Sequence, residues 1–182
     1  MATTRDRALD AALALVGEQG IRALTHARVD ERAGLPKGST SNWFRTRDAL
    51  VAGVVTHLAE RERADFAAAP LPPIETPEQL TDALTSMVDV ETGPFAARTR
   101  ARFALFLEGA ADPEVLTPLL EQRRTYVRWM VELLAQVGAR APAEASRSLM
   151  AAADGLVLHR VTVDPDAAIR PVIERAVRAS LD

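Results

Sequence analysis

The chain has 182 residues, of which 48% are hydrophobic and 26% charged, so it is long enough for a substantial core and has the composition of an ordinary folded protein. It contains no cysteine, which excludes disulfide staples, thiolate metal sites and cysteine nucleophiles. The net charge of −3 is unevenly spread: residues 1–63 hold ten Lys/Arg against eight Asp/Glu, an excess of +2, while the remainder holds twelve against seventeen, or −5. Such a polarity gives a basic N-terminal end and an acidic body. Alanine is abundant, aromatic residues make up only 4%, and alternating β-branched runs are scarce, so an all-α protein is expected. Residues 1–20 are charged throughout and lack a signal-peptide pattern, and no apolar run approaches a membrane span, which makes the cytoplasm the expected compartment and a membrane partner unexpected.

The first predicted helix, Thr4–Gln19, places Ala8, Leu9, Ala12, Leu13 and Val16 at helical spacing and stops at Gly20. Arg5 and Arg7 at its start are candidates for phosphate contacts. Thr25 then caps a short helix, roughly Thr25–Ala33, in which Val29, Ala33 and the following Leu35 give one apolar side and Gly34 the stop. After Pro36 comes Lys37-Gly38-Ser39-Thr40-Ser41-Asn42-Trp43-Phe44, where small hydroxyl and amide side chains precede two aromatics. A short helix with that face can approach a duplex closely and offer neutral donors and acceptors to base edges, with Phe44 as the core anchor. Thr46 caps the next helix, which runs to about Ala67 with Leu50, Val54, Leu58 and Ala59 on its apolar side. Its first amides, beside Arg45 and Arg47, suit a phosphate oxygen.

Pro70-Leu71-Pro72-Pro73 cannot continue that helix and marks a boundary. Thr76-Pro77-Glu78-Gln79 is a capping box with proline at the first helical position, opening a helix to about Val90. Pro94 opens another to about Glu108, and Asp112-Pro113 a short turn. Thr117-Pro118 starts a long helix to Val137 ended by Gly138, Pro142 one to about His159, and Asp164-Pro165 the last, to Ser180. Nine helices result. In the last, Ile169, Val172, Ile173, Ala176 and Val177 form an apolar stripe, and in the helix before it Ala152, Gly155 and Leu156 offer a shallow surface.

Leu24-Thr25, Val29, Ala33-Gly34-Leu35, Lys37-Gly38-Ser39, Trp43-Phe44, Arg47 and Leu50 together carry a resemblance to the TetR family of bacterial transcriptional regulators. The Thr-His-x-x-Val-Asp and Gly-Ser-Thr-Ser strings are similar to those of a branch common in actinobacteria. The resemblance is specific over about residues 5–60 and architectural beyond. Two departures stand out: Asp30 occupies a site where most members have alanine, and Trp43 replaces the usual tyrosine. The resemblance implies a helix-turn-helix DNA-binding domain at residues 1–47 and a ligand-binding and dimerisation domain at 48–182. It also implies a homodimer through the last two helices, double-stranded operator DNA as partner, and a small-molecule effector that releases the DNA, making the protein a repressor.

On this reading the DNA face consists of Thr25, His26, Arg28, Lys37, Gly38, Ser39, Thr40, Ser41, Asn42, Trp43 and Arg47. The effector, largely apolar, would meet Met87, Phe103, Phe106, Tyr126, Trp129, Met130 and Met150, with Arg98, Arg102 and Asp154 as polar contacts. Core packing is the alternative for each of these. The three histidines are far apart, no HExxH or paired-carboxylate motif occurs, and the glycines form no phosphate loop, so neither catalysis nor a metal or cofactor is expected. His26 and Asp30, four residues apart, share one helix face and suit a local hydrogen bond or a phosphate contact. Two rival readings remain: an adaptor that keeps the helix-turn-helix only as a fold element, and an enzyme using a helical cavity.

Overall fold

The computed structural model describes residues 3–69, 73–109 and 112–182. The boundary expected at Pro70-Leu71-Pro72 lies outside the described residues, while Pro73 is described and is not helical. The described residues form nine α-helices and the 3₁₀ turn Ile21–Ala23, with no strand. The helices are α1 (Thr4–Gln19), α2 (His26–Ala33), α3 (Ser39–Trp43), α4 (Arg47–Ala68), α5 (Pro77–Thr92), α6 (Ala96–Glu108), α7 (Thr117–Gln136), α8 (Pro142–Thr162) and α9 (Arg170–Ala179). None of them is long and apolar enough to cross a membrane. The chain divides into two compact units, residues 1–67 with 97–122 and residues 68–96 with 123–182.

Local chemistry sets most of these boundaries. Thr3 caps α1 in a capping box, accepting from the Asp6 amide at 3.1 Å while the Asp6 carboxylate accepts from the Thr3 amide at 2.9 Å. Thr25 and Thr46 accept from the amides three residues on, at 3.4 and 3.0 Å, and Thr76 forms the expected box with Gln79. Gly34 (φ 61°) and Gly138 (φ 92°) take the left-handed conformation that ends α2 and α7 without a Cβ penalty.

The first unit buries Leu9, Leu13 and Val16 of α1, Leu24, Val29, Phe44, and Leu50, Val54 and Leu58 of α4 against Ala101 and Leu105 of α6 and Leu119 of α7. At one crossing in this unit two backbones are in contact. A Cβ placed on Gly17 of α1 would lie 2.0 Å from the Ala97 carbonyl oxygen of α6, and the Gly17 carbonyl accepts from Arg100 Nε at 2.9 Å. Arg98 and Arg102 of α6 pair with Asp65 and Glu62 of α4.

In the second unit α5, α8 and α9 pack on one another, burying Leu80, Leu84 and Val88, Leu149, Leu156 and Val157, and Ile173 and Val177. Here two expectations are corrected. The last helix begins at Arg170, not at Asp164-Pro165: the Asp164 carboxylate accepts from the Asp166 amide at 3.1 Å in a local turn, and the Ala167 carbonyl is taken by the Arg160 guanidinium. Pro171, which has no amide hydrogen, would break a helix begun earlier and fits only in the first turn of α9. The α9 stripe also splits, since Ile173 and Val177 fill the unit's own core while Val172 is exposed.

Gly17→Ala should destabilise the protein by about 2 kcal/mol or more, because the clash of backbones outweighs the roughly 1 kcal/mol that alanine gains over glycine inside a helix. Denaturant midpoints of the two proteins measure it, and a stabilised variant would contradict the crossing.

Candidate nucleic-acid interface

Asp30 sits on the inner face of α2 and is only 3% exposed. Its Oδ2 accepts from the Gly38 amide at 2.7 Å, and its Oδ1 accepts from the Thr40 amide at 2.8 Å and the Thr40 hydroxyl at 2.5 Å. One turn earlier on the same face, His26 Nε2 donates to the Phe44 carbonyl at 2.6 Å. Two side chains of α2 therefore hold both ends of the five-residue α3. Gly38 stands at φ 90°, a conformation that a residue with a Cβ rarely takes, and so turns the chain from Pro36 into α3. Phe44 leaves α3 into the core, where its ring lies so close to Gly53 of α4 that a Cβ there would fall 2.4 Å from it. The Arg5 guanidinium covers the same ring at 5.4 Å from its centre.

What remains on the outside of this motif is Lys37, the single lysine of the chain, with Ser41, Asn42 and Trp43. Thr40, counted with the DNA face in the sequence, is fully buried. Ser39 donates its hydroxyl to the Pro36 carbonyl at 2.6 Å, and His26 is committed to Phe44. Four arginines around the motif are engaged, Arg7 donating to the Ala33 carbonyl at the end of α2 at 2.8 Å, Arg28 to Gln19, Arg32 to Glu18 at 2.7 Å, and Arg47 to Glu108 at 2.7 Å, while Arg45 is exposed. Thr25 and Arg28 are exposed, Thr25 as the cap of α2. Neither the Asp30 grip nor the seating of Phe44 on Gly53 follows from spacing. The one signal for the first was an acid placed beside Val29 on the apolar side of a short helix.

The residues considered for an effector fall into different surroundings. In the first unit, Arg98 and Arg102 pair with α4, Phe103 is half-buried with Arg102 over its face at 5.8 Å, and Phe106 packs on the core. In the second, Met87 is exposed on α5, Met130 is buried, and Tyr126, Trp129 and Met150 are half-buried on α7 and α8. Asp154 takes both guanidinium nitrogens of Arg123. Among the described residues no group of three His, Asp or Glu side chains could hold a metal ion.

Burial pushes the Asp30 carboxyl up, but the hydrogen bonds from the Thr40 hydroxyl, the Thr40 amide and the Gly38 amide outweigh it, with the His26 charge adding, and the group sits below its ordinary 3.8. A carboxyl lowered on folding stabilises the folded state above its unfolded value and loses that contribution as pH falls through the folded one. An asparagine in its place would keep the Thr40 contacts on its oxygen and set its NH₂ against the Gly38 amide. The gap in melting temperature between wild type and Asp30→Asn should thus be constant down to about pH 4 and narrow below it. A gap already closing near pH 6 would contradict the charged, hydrogen-bonded form.

No curated protein matches the chain. Two family models do: residues 8–54 match "Bacterial regulatory proteins, tetR family", and residues 75–182 match "Tetracyclin repressor-like, C-terminal domain". Among solved structures, a TetR-family member from Streptomyces coelicolor A3 (SCO1917) is 26% identical, with 97% of this chain and 98% of that chain covered and a TM-score of 0.74. The multidrug binding protein EbrR complexed with ethidium is 26% identical over 97% of this chain and 98% of that one, with a TM-score of 0.69. A transcriptional regulator from Rhodococcus sp. Rha1 shares the fold at 21% identity and a TM-score of 0.75, covering 98% of this chain and 94% of that chain. The second model alone spans more than half of the sequence, and the chain belongs to the TetR family of bacterial regulatory proteins.

Proposed function

We propose that this TetR-family regulator is a one-component repressor of the cytoplasm, which binds operator DNA as a homodimer and leaves it when a small molecule fills the C-terminal part. The observation that carries the DNA half is the exposed row Ser41, Asn42 and Trp43 on a helix held at both ends, with Lys37 exposed in the turn just before it. The Asn42 amide suits bidentate reading of adenine, and the Lys37 ammonium suits a phosphate. Arg47 and the first amides of α4 add a second phosphate contact.

One five-residue helix reads too few base pairs, and a two-fold pair places a second copy in a neighbouring major groove. Support for pairing through α8 and α9 comes from their outward sides. Ala151, Gly155 and Leu158 recur along one exposed face of α8, a Cβ on Gly155 would meet nothing within 4 Å, and Val172 is exposed on α9. Leu156, by contrast, is already spent on the core of its own unit.

Gel shifts on the duplex flanking the protein's own gene test the DNA half. Lys37→Ala should weaken operator and random DNA alike and reduce the salt slope by about one, whereas Asn42→Ala should cost about 1–3 kcal/mol mainly on the operator. Sedimentation should find two chains per bound duplex, and Val172→Asp should give monomers with little operator affinity. Wild-type affinity in both DNA-face variants, or tight operator binding by a monomer, would overturn this half.

For the effector, the half-buried Tyr126, Trp129 and Met150 in the second unit, together with the likeness to EbrR and its bound ethidium, support a largely apolar, aromatic molecule. It releases DNA only if it binds the DNA-incompetent arrangement more tightly. A compound that raises the melting temperature of the protein should also lower operator affinity, release being read with non-intercalating compounds, and Met150→Trp should abolish both effects while leaving DNA binding intact. An unchanged response in that variant would move the site elsewhere.

A further inference from the structure

The amides of Gly38 and Thr40 open α3, and both already have an acceptor inside the protein. So has the Thr40 hydroxyl, whose proton points at Asp30 and whose side chain is sealed from the surface. A helix of five residues makes too few internal hydrogen bonds to keep a direction of its own, so its orientation is set from outside. Phe44 fixes where α3 ends. The turn at which its residues face outward is fixed at the other end, by three donors converging on one carboxylate.

We propose that Asp30 and Thr40 are a positioning pair for DNA recognition: the carboxylate sets the rotation of α3, and Thr40 serves that lock and reads no base, leaving Ser41 and Asn42 to face the duplex. This rests on the DNA-binding reading above. Successive residues of a helix point about 100° apart, so a small rotation of α3 carries Asn42 off a base edge. Contacts made by Lys37 and Arg45, which lie outside α3, survive such a rotation. Loss of the lock therefore erases sequence preference and spares general attraction to phosphates.

The test enriches duplexes from a random pool with the wild-type protein, then measures the affinity of each variant for the enriched duplex and for a scrambled one. Asp30→Asn and Thr40→Val should each weaken binding to the enriched duplex by about 10- to 100-fold, the loss expected for a hydrogen bond to a charged group, and leave the scrambled duplex within about twofold. Thr40→Ser, which keeps the hydroxyl, should restore the preference, and the double variant should lose no more than the worse single one. A merely structural defect lowers both affinities together, in proportion to the folded fraction. If Asp30→Asn does not fold, Thr40→Val carries the test, since it removes one hydroxyl at nearly constant volume. An unchanged ratio between the two duplexes would overturn the pair while leaving DNA binding in place. A change of preference confined to one base pair in Thr40→Val would make Thr40 a reader and overturn it too. Failure of the wild type to enrich any duplex would overturn both the pair and the DNA reading.

Discussion

A carboxylate shut away from water is tolerated only when its lone pairs are filled, and Asp30 fills them with the backbone and side chain of the next helix. The local architecture depends on this exchange. It needs an amide at Gly38 that points inward, hence a residue able to stand at positive φ, and a hydroxyl at Thr40 within reach. With α3 so placed, Phe44 falls into the gap over Gly53, and Arg5 closes over its ring. The short helix is thereby joined to α1, α2 and α4, none of which it could orient against by its own hydrogen bonds.

What the sequence revealed and what it hid divide along the range of the interactions. Threonine caps, a capping box and glycines past helix ends act over three or four residues, and Thr25, Thr46, Thr76, Gly34 and Gly138 set α2, α4, α5 and α7 where local reasoning placed them. The nine-helix count was legible for the same reason. The start of α9 was not, because Asp164-Pro165 looks like a cap until Arg160 is seen to occupy the carbonyl that a helix would need. Nor could the α9 stripe say which of its neighbours, Val172 or Ile173, would face its own unit. Within α3, Ser41 and Thr40 were indistinguishable in sequence, yet one is exposed and the other fully buried. Only the tertiary partner of Thr40 separates them.

The arginines follow the same logic. The basic excess of the N-terminal part is small, and much of it is tied down: Arg7 on a helix end, Arg32 on Glu18, Arg47 on Glu108. Exposed pairs of this kind add little to stability. Glu18 and Glu108 also offset part of the positive charge that Arg32 and Arg47 bring beside the motif. Arg98 and Arg102, which the sequence offered as polar contacts for an effector, are paired with Asp65 and Glu62 of α4.

Where α1 crosses α6, the backbones of Gly17 and Ala97 are in contact, and a contact between backbones has no rotamers with which to absorb a displacement. Methyl groups and thioethers yield; two backbones in touch do not. The Arg100 hydrogen bond to Gly17 further prevents α6 from sliding along α1. The far end of α6, Glu108, lies eleven residues or roughly 16 Å away along the helix. Between the two, Ala101 and Leu105 are fully buried and Arg98 and Arg102 pair with α4, so the place of Glu108, and of the Arg47 it holds at the first turn of α4, is gauged from the backbone of α1.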